Sequence, residues 1–455
     1  MKGLGRAILL FAMAFSMAGC GSDNDTKTTS VTVFHASSDA PAVDVRLGSK
    51  VVISDADYKA AGKFRVRGTG ELAVDAILPD GSTTEVIGPQ SIKADSSGKV
   101  YDVFVIGKVA DSTLESLVVT DEPEATPSDS VRVRIAHLAS DAPEVDVYVT
   151  APGADLSSLS PVATVAYKDV TGPLNVPAGD YQVRVTAAGG STVVYDSGTV
   201  SLAGGSDLLV GAVNNTNYGD SPISLIVEDD GDVSELVDTD AGAGLRAVHN
   251  SYNAPNVDIY LGAIGGTPAI SNLAFPDAAP GADFGNYAGV VAESTEVSVT
   301  ATGDTNAVVS DTYDLANGSA YTVLAANALA QIELLAFSDD DRRAVATEAK
   351  LRVIHGAGQA PNVDVYLTAQ GAGGIGNADP VLSDVAFGES SGYLPVAAGD
   401  YDVYVTAAGT GTVAIGPVSV TLENGGVYTA VAREAADYGS SGAFTVTGLD
   451  DLAAP

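Results

Sequence analysis

Alternation of apolar and polar residues with period two runs through most of this chain. Around the second of its histidines, Val131, Val133, Ile135 and His137 fall on one face of an extended segment. Ala142-Pro143 then turns the chain, and Val145, Val147 and Val149 share a face with Asp146 and Tyr148 opposite. A glycine turn and a second alternating run follow in VPAGDYQVRVTAAGG from Val176, and DLLVGAV from Asp207 closes the unit. Long helical periodicity is confined to the N-terminus, so the elements are strands joined by turns.

The same succession occurs four times. VTVFHASSDAPAVDVRL from Val31, VRIAHLASDAPEVDVYV from Val133, LRAVHNSYNAPNVDIYL from Leu245 and LRVIHGAGQAPNVDVYL from Leu351 each place a proline six residues and an aspartate nine residues after a histidine. The motif therefore supplies His35 and Asp44, His137 and Asp146, His249 and Asp258, and His355 and Asp364. The histidines stand 102, 112 and 106 residues apart, a spacing that suits one sandwich domain per repeat. Closing strands also occur at Tyr101, Ala320 and Val427, giving about seven strands per copy. The expected fold is all-β, with four tandem immunoglobulin-like β-sandwich domains spanning 31–121, 131–237, 245–338 and 350–450.

The motif, its Ala-Pro turn, the Val-Asp-Val strand and the later Ala-Gly-Asp-Tyr turn together resemble the bacterial family of domain of unknown function 4397. The resemblance covers four copies, with the second and fourth nearest to the pattern. The first and third depart from Ala-Gly-Asp-Tyr, reading ELAVDAILPDG from Glu71 and EVSVTATGD from Glu296. It implies an extracytoplasmic β-rich domain, often in tandem and often lipid-anchored, and it implies no activity.

The N-terminus changes the picture of where the protein works. Lys2 and Arg6 precede an apolar run from Ala7 to Phe15, followed by Ser16-Met17-Ala18-Gly19-Cys20. Residues 1–19 read as a secretory signal too short to span a bilayer. The small residues before the chain's single cysteine resemble a lipobox, which implies cleavage before Cys20 and lipidation of its sulfur. The expected location is exported and membrane-anchored, at the outer membrane if the cell is Gram-negative. Residues 20–30 form a polar tether, whose last ten residues reach about 33 Å when extended.

Charge narrows the partners. The chain carries 22 Lys and Arg against 58 Asp and Glu, a net charge of −36 that becomes −38 when Lys2 and Arg6 leave with the signal. Such a surface repels nucleic acid. Acidic runs precede each new repeat, and Glu228, Asp229, Asp230 and Asp232, with Asp339, Asp340 and Asp341, are candidate calcium ligands at two junctions. No EF-hand spacing accompanies them, and solvated linkers are the competing reading.

The histidines have a structural reading too, in which one ring nitrogen binds a backbone group of the following turn. A metal at the motif needs two further ligands per copy, and no copy has a second histidine. A buried neutral histidine would also make stability sensitive to mild acid. Nucleophile elbows, zinc helices and phosphate loops are absent from the sequence, so catalytic residues are not expected. Tyr148, Tyr260 and Tyr366 recur opposite the core face of the second strand, and the chain has 18 Tyr but no Trp to offer a sugar. The expected function is a non-enzymatic, lipid-anchored envelope protein binding a protein or glycan. Its alternatives are a calcium-stiffened spacer and an envelope hydrolase, and no cofactor other than calcium is expected.

Overall fold

The computed structural model describes residues 27–94 and 98–451. The segment expected to be a signal, Cys20 and most of the expected tether lie outside them. In repeat 1 the strands are β1 (Thr28–His35), β2 (Val43–Leu47), β3 (Lys50–Ala56), β4 (Ala61–Arg67), β5 (Thr69–Ile77), β6 (Thr83–Lys93), β7 (Val100–Ile106) and β8 (Glu115–Asp121). They form two sheets in the orders β4-β1-β7-β8 and β3-β2-β5-β6, with β1 and β7 parallel and the other pairs antiparallel. The other repeats keep this arrangement. Repeat 2 adds a ninth strand, Asp232–Leu236, and repeat 3 splits the β4 position into Ala278–Ala279 and Ala288–Val290.

Four β-sandwiches in tandem are thus what the alternation implies. Each repeat has eight strand positions rather than about seven, and their order differs from the ABED and CFG sheets of an immunoglobulin domain. Each sandwich buries the inward residues of both sheets: Val31, Val33, Val43, Val45, Leu72 and Val74 in repeat 1, with counterparts in the other three. Burial of these aliphatic side chains is the main stabilising term, about 25 cal/mol per Å² of apolar surface removed from water.

The repeats do not hang as separate beads. The outward face of the β1–β7 sheet of repeat 1 packs on the equivalent face of repeat 2, where Phe34, Phe104 and Ile106 meet Leu138, Leu209 and Ile226 in one cluster. Repeats 3 and 4 pack in the same manner through Val248, Leu324, Ile354, Val431 and Leu449. These faces are apolar on both sides of the strand because both sides are covered. The segment linking repeats 3 and 4 returns to repeat 1. There the Arg343 guanidinium donates to the carbonyls of Ser38 (3.1 Å) and Ala40 (2.7 Å) and pairs with Asp57 (2.5 Å). The chain is therefore two face-to-face pairs, joined by the short connection from repeat 2 to repeat 3 and by this return contact.

Candidate functional site

The recurring histidines come first, because their geometry is repeated almost unchanged. Each closes the inward face of its first strand. The Nε2 atoms of His35, His137, His249 and His355 lie 2.9, 2.9, 2.9 and 3.0 Å from the carbonyls of Pro41, Pro143, Pro255 and Pro361. A carbonyl can only accept, so Nε2 carries the proton in every case. On the other side, Nδ1 of His35, His249 and His355 accepts the N–H of Ser37, Ser251 and Ala357. An aromatic ring packs edge-on against each imidazole: Tyr58, Tyr167, Phe275 and Phe387 in order. Burial lowers His35 to about 4, and it also pulls His249 and His355 below their ordinary value. The ring ties the β1–β2 turn to the core as a neutral group with both nitrogens engaged in three of the four repeats.

The aspartates nine residues on point the other way and hold a different loop. Asp44 accepts the N–H of Asp55, while Asp146 accepts the Thr164 hydroxyl and the N–H of Gly189. Asp258 and Asp364 each accept two backbone N–H groups, from Asn272 and Gly303 and from Asp384 and Gly409. Hydrogen bonds from Thr164 and Gly189 hold the Asp146 carboxyl below its usual range, and those from Gly303 and Asn272 do so for Asp258. Histidine and aspartate of one motif are therefore placed on opposite faces and do not converge.

The junction carboxylates are also separated, which corrects the expectation of an oxygen cage for calcium. Glu228 and Asp229 are neighbours in one strand and point to opposite faces. Glu228 is buried and accepts the N–H of Gly231 at 2.7 Å, Asp229 meets Ser206, and Asp230 pairs with Lys63 of repeat 1 at 2.7 Å. Asp232 opens the following strand on an exposed position. At the second junction Asp339 is fully buried between Arg246 and Arg352, Asp340 binds Ser338 and Ser319, and Asp341 pairs with Lys350. Among the described residues, no group of three His, Cys, Asp or Glu side chains comes together as a metal would require.

What the fold does gather is a cleft of about 850 Å³ where repeats 2 and 3 meet. It is built from the β5–β6 hairpin of repeat 2, the loop after its seventh strand, the connection to repeat 3 and the segment around Tyr287. The N–H of Tyr218 donates to the carbonyl of Gly318 at 2.7 Å, and the Asn317 side chain donates to the carbonyl of Asp238 at 2.7 Å, so both repeats fix the rim. The Tyr218 and Tyr287 rings meet edge to face at 6.4 Å, and Arg342 lies 4.5 Å over Tyr287. A Cβ added at Gly244 would lie 2.6 Å from the Tyr218 ring, so this position keeps the ring in place only as glycine.

The cleft mixes donors and acceptors. Asp196, Asp220, Asp238 and Asp240 supply carboxylates, and Arg184 and Arg342 supply guanidinium groups. Arg184 spends Nη2 on Thr150 and the carbonyl of Ala154, while its Nε has no hydrogen-bond partner; Nη1 of Arg342 also lacks one. None of these residues stands out in the sequence, because the motif recurs in all four repeats whereas the cleft is formed once, at the junction of repeats 2 and 3. Tyr148, Tyr260 and Tyr366, which did stand out, are buried against neighbouring strands and offer no open platform.

Comparison with known families agrees with the repeat architecture. Residues 29–148, 154–260, 243–366 and 374–455 each match Domain of unknown function (DUF4397). The chain belongs to the domain of unknown function 4397 family. Its four DUF4397 copies account for nearly all the described sandwiches, although the matched spans are offset from the strand boundaries. No curated protein matches this DUF4397 chain. Among solved structures it is similar to the Bacillus anthracis TIE protein, at 11% identity over 90% of this chain and 68% of that one, with a TM-score of 0.15. A structure described as alpha-glucan binding by a streptococcal virulence factor is 9% identical, over 40% of this chain and 93% of that one, also with a TM-score of 0.15.

Proposed function

We propose that this chain is a non-enzymatic, lipid-anchored protein of the cell envelope that binds a glycan in the cleft between repeats 2 and 3. The observation that carries the reading is the cleft itself: one concave site, with acidic acceptors, two arginine side chains and tyrosine rings. Sugar hydroxyls both donate and accept, and their apolar C–H faces pack on aromatic rings, so a glycan can satisfy all three kinds of group. A nucleic acid would meet four carboxylates, and an apolar ligand would leave the charged groups desolvated without partners. Anchoring through Cys20 would hold the cleft at the membrane surface, where envelope polysaccharide is concentrated.

The test is an array of bacterial surface glycans probed with the mature chain and with Tyr218→Ala and Arg342→Ala. The expected result is a discrete set of ligands whose affinity falls about tenfold in either variant, corresponding to about 1.4 kcal/mol. Binding that survives both substitutions, or no glycan binding at all, overturns the reading.

A further inference from the structure

In three of the four repeats a tyrosine at the start of the seventh strand stops one end of the sandwich. Tyr101, Tyr321 and Tyr428 stand opposite Val31, Leu245 and Leu351 of their first strands. The Tyr101 hydroxyl donates to the carbonyl of Lys93 at 2.9 Å, and the hydroxyls of Tyr321 and Tyr428 accept the N–H of Ala316 and Glu423 at 3.0 and 2.9 Å. All three reach the residue after the last inward side chain of the sixth strand. Those side chains, Ile92, Leu315 and Leu422, are 0%, 4% and 1% exposed.

Repeat 2 has Leu208 in this place, opposite Val133. Leucine is shorter and has no hydroxyl to reach Ala203. Leu202, the counterpart of Leu422, is left partly exposed, as are Val133 and Val210. A cavity of about 100 Å³ opens at this end, and every side chain lining it is Val, Leu or Ile. A further space of about 40 Å³ lies deeper in the same core and shares Val133, Ile135 and Val210 with the first. With no polar partner such a space does not hold water, and the two adjoining spaces together approach the roughly 150 Å³ of an apolar cavity that takes up benzene or xenon.

We infer that repeat 2 has a second binding site, which takes a hydrocarbon group into the space that tyrosine fills in the other repeats. The group is either a free compact hydrocarbon or the methyl end of an acyl chain entering past the exposed Val162. This site is independent of the cleft, shares no lining residue with it, and lacks any group that could bind a sugar.

Calorimetric titration of the mature chain with benzene, and separately with octanoate, tests the inference. The intact chain should bind at one site per molecule, and Leu208→Tyr should lower the affinity at least about tenfold while raising the unfolding temperature. Octanoate binding with the same loss assigns an acyl end, and benzene binding alone assigns a compact hydrocarbon. The reciprocal Tyr321→Leu should raise the stoichiometry to two. Absence of binding by the intact chain, equal binding by folded Leu208→Tyr, or an unchanged stoichiometry in folded Tyr321→Leu overturns it.

Discussion

The two face-to-face pairs solve one packing problem with different chemistry. Between repeats 1 and 2 the contact is mainly apolar, with Phe34 and Phe104 stacked at 4.9 Å among Ile106, Leu138, Leu209 and Ile226. Between repeats 3 and 4 its centre is a buried ionic network. Arg246 donates to Asp450 at 2.8 Å and to the Thr322 hydroxyl, while Arg352 donates to Asp339 and to the Thr429 hydroxyl. Thr322 and Thr429 pass the chain on to Asp339 and Asp450, each at 2.6 Å. Tyr287 and Tyr393 cover the two guanidinium planes at 4.9 and 4.5 Å and donate to the same carboxylates. Two arginines face two aspartates about a local two-fold arrangement, so charge is balanced.

The position three residues before the histidine decides the difference. It is Thr32, Arg134, Arg246 and Arg352 in the four repeats. The second pair has an arginine on both sides, whereas the first has only Arg134. Its partner is Asp102, and burial pushes the Asp102 carboxyl up in spite of Arg134. Glu228, close by, is also pushed up by burial. With one arginine at its centre, the first pair relies on aromatic area, and the second on a satisfied network. Burying such a network is not inherently stabilising, but breaking it is costly.

The comparison is broken most severely by removing one charge from the balanced pair. Arg246→Leu leaves Asp450 buried without its partner, and denaturant unfolding should show a loss of about 3–5 kcal/mol. Phe34→Ala attacks the apolar pair and should cost about 3–4 kcal/mol by creating a cavity. The ratio of the two losses, measured in one chain, states how far each interface relies on charge or on area.

Acid sharpens the contrast. His35 sits beside Tyr58, Asp57 and Arg343 at the edge of the first pair, and its folded value of about 4 lies below the ordinary 6.5. The unfolded chain binds the proton more readily, so stability contributed by neutral His35 is complete above pH 6.5 and is lost as pH falls toward 4. The lost contribution is roughly 3 kcal/mol at 1.36 kcal/mol per pH unit. In His35→Gln that part of the slope should vanish from unfolding curves taken between pH 7 and 4. The smallest effect belongs to the surface pair of Lys63 and Asp230, which bridges repeats 1 and 2. Lys63→Ala should change stability by less than about 1 kcal/mol, and less again at high salt.

Much of this architecture was legible from alternation. The four sandwiches, their first two strands and the turn at each Ala-Pro are written in residues such as Val131, Val133 and Ile135, whose period of two leaves little choice of register. The pairing was not read, because arginine on a strand's outer face ordinarily means solvent, and Arg134, Arg246 and Arg352 follow that pattern until a second sheet covers them. A signal was present in the seventh strands: YDVFVI, DLLVGAV, AYTVLAA and VYTAVA are apolar on both faces, as strands covered on two sides are. The cleft had no comparable signal. Tyr218, Asp238 and Arg342 come from three separate loops and meet only through the geometry of the 2–3 junction. The junction carboxylates misled for a related reason, since Asp339-Asp340-Asp341 looks like one cluster in sequence, while the fold buries Asp339 between Arg246 and Arg352 and a turn carries Asp340 to Ser338 and Asp341 to Lys350.

The central claim is that repeats 1 and 2 form one unit and repeats 3 and 4 another. Hydrogen exchange measured by mass spectrometry on the protein and its Phe34→Ala variant tests it most directly. Protection should be lost in β1 and β7 of repeat 1 and equally in Ser130–His137 and Asp207–Asn214 of repeat 2, with Ala243–Asn250 and Ala349–His355 unchanged. Lost protection confined to repeat 1 would contradict it.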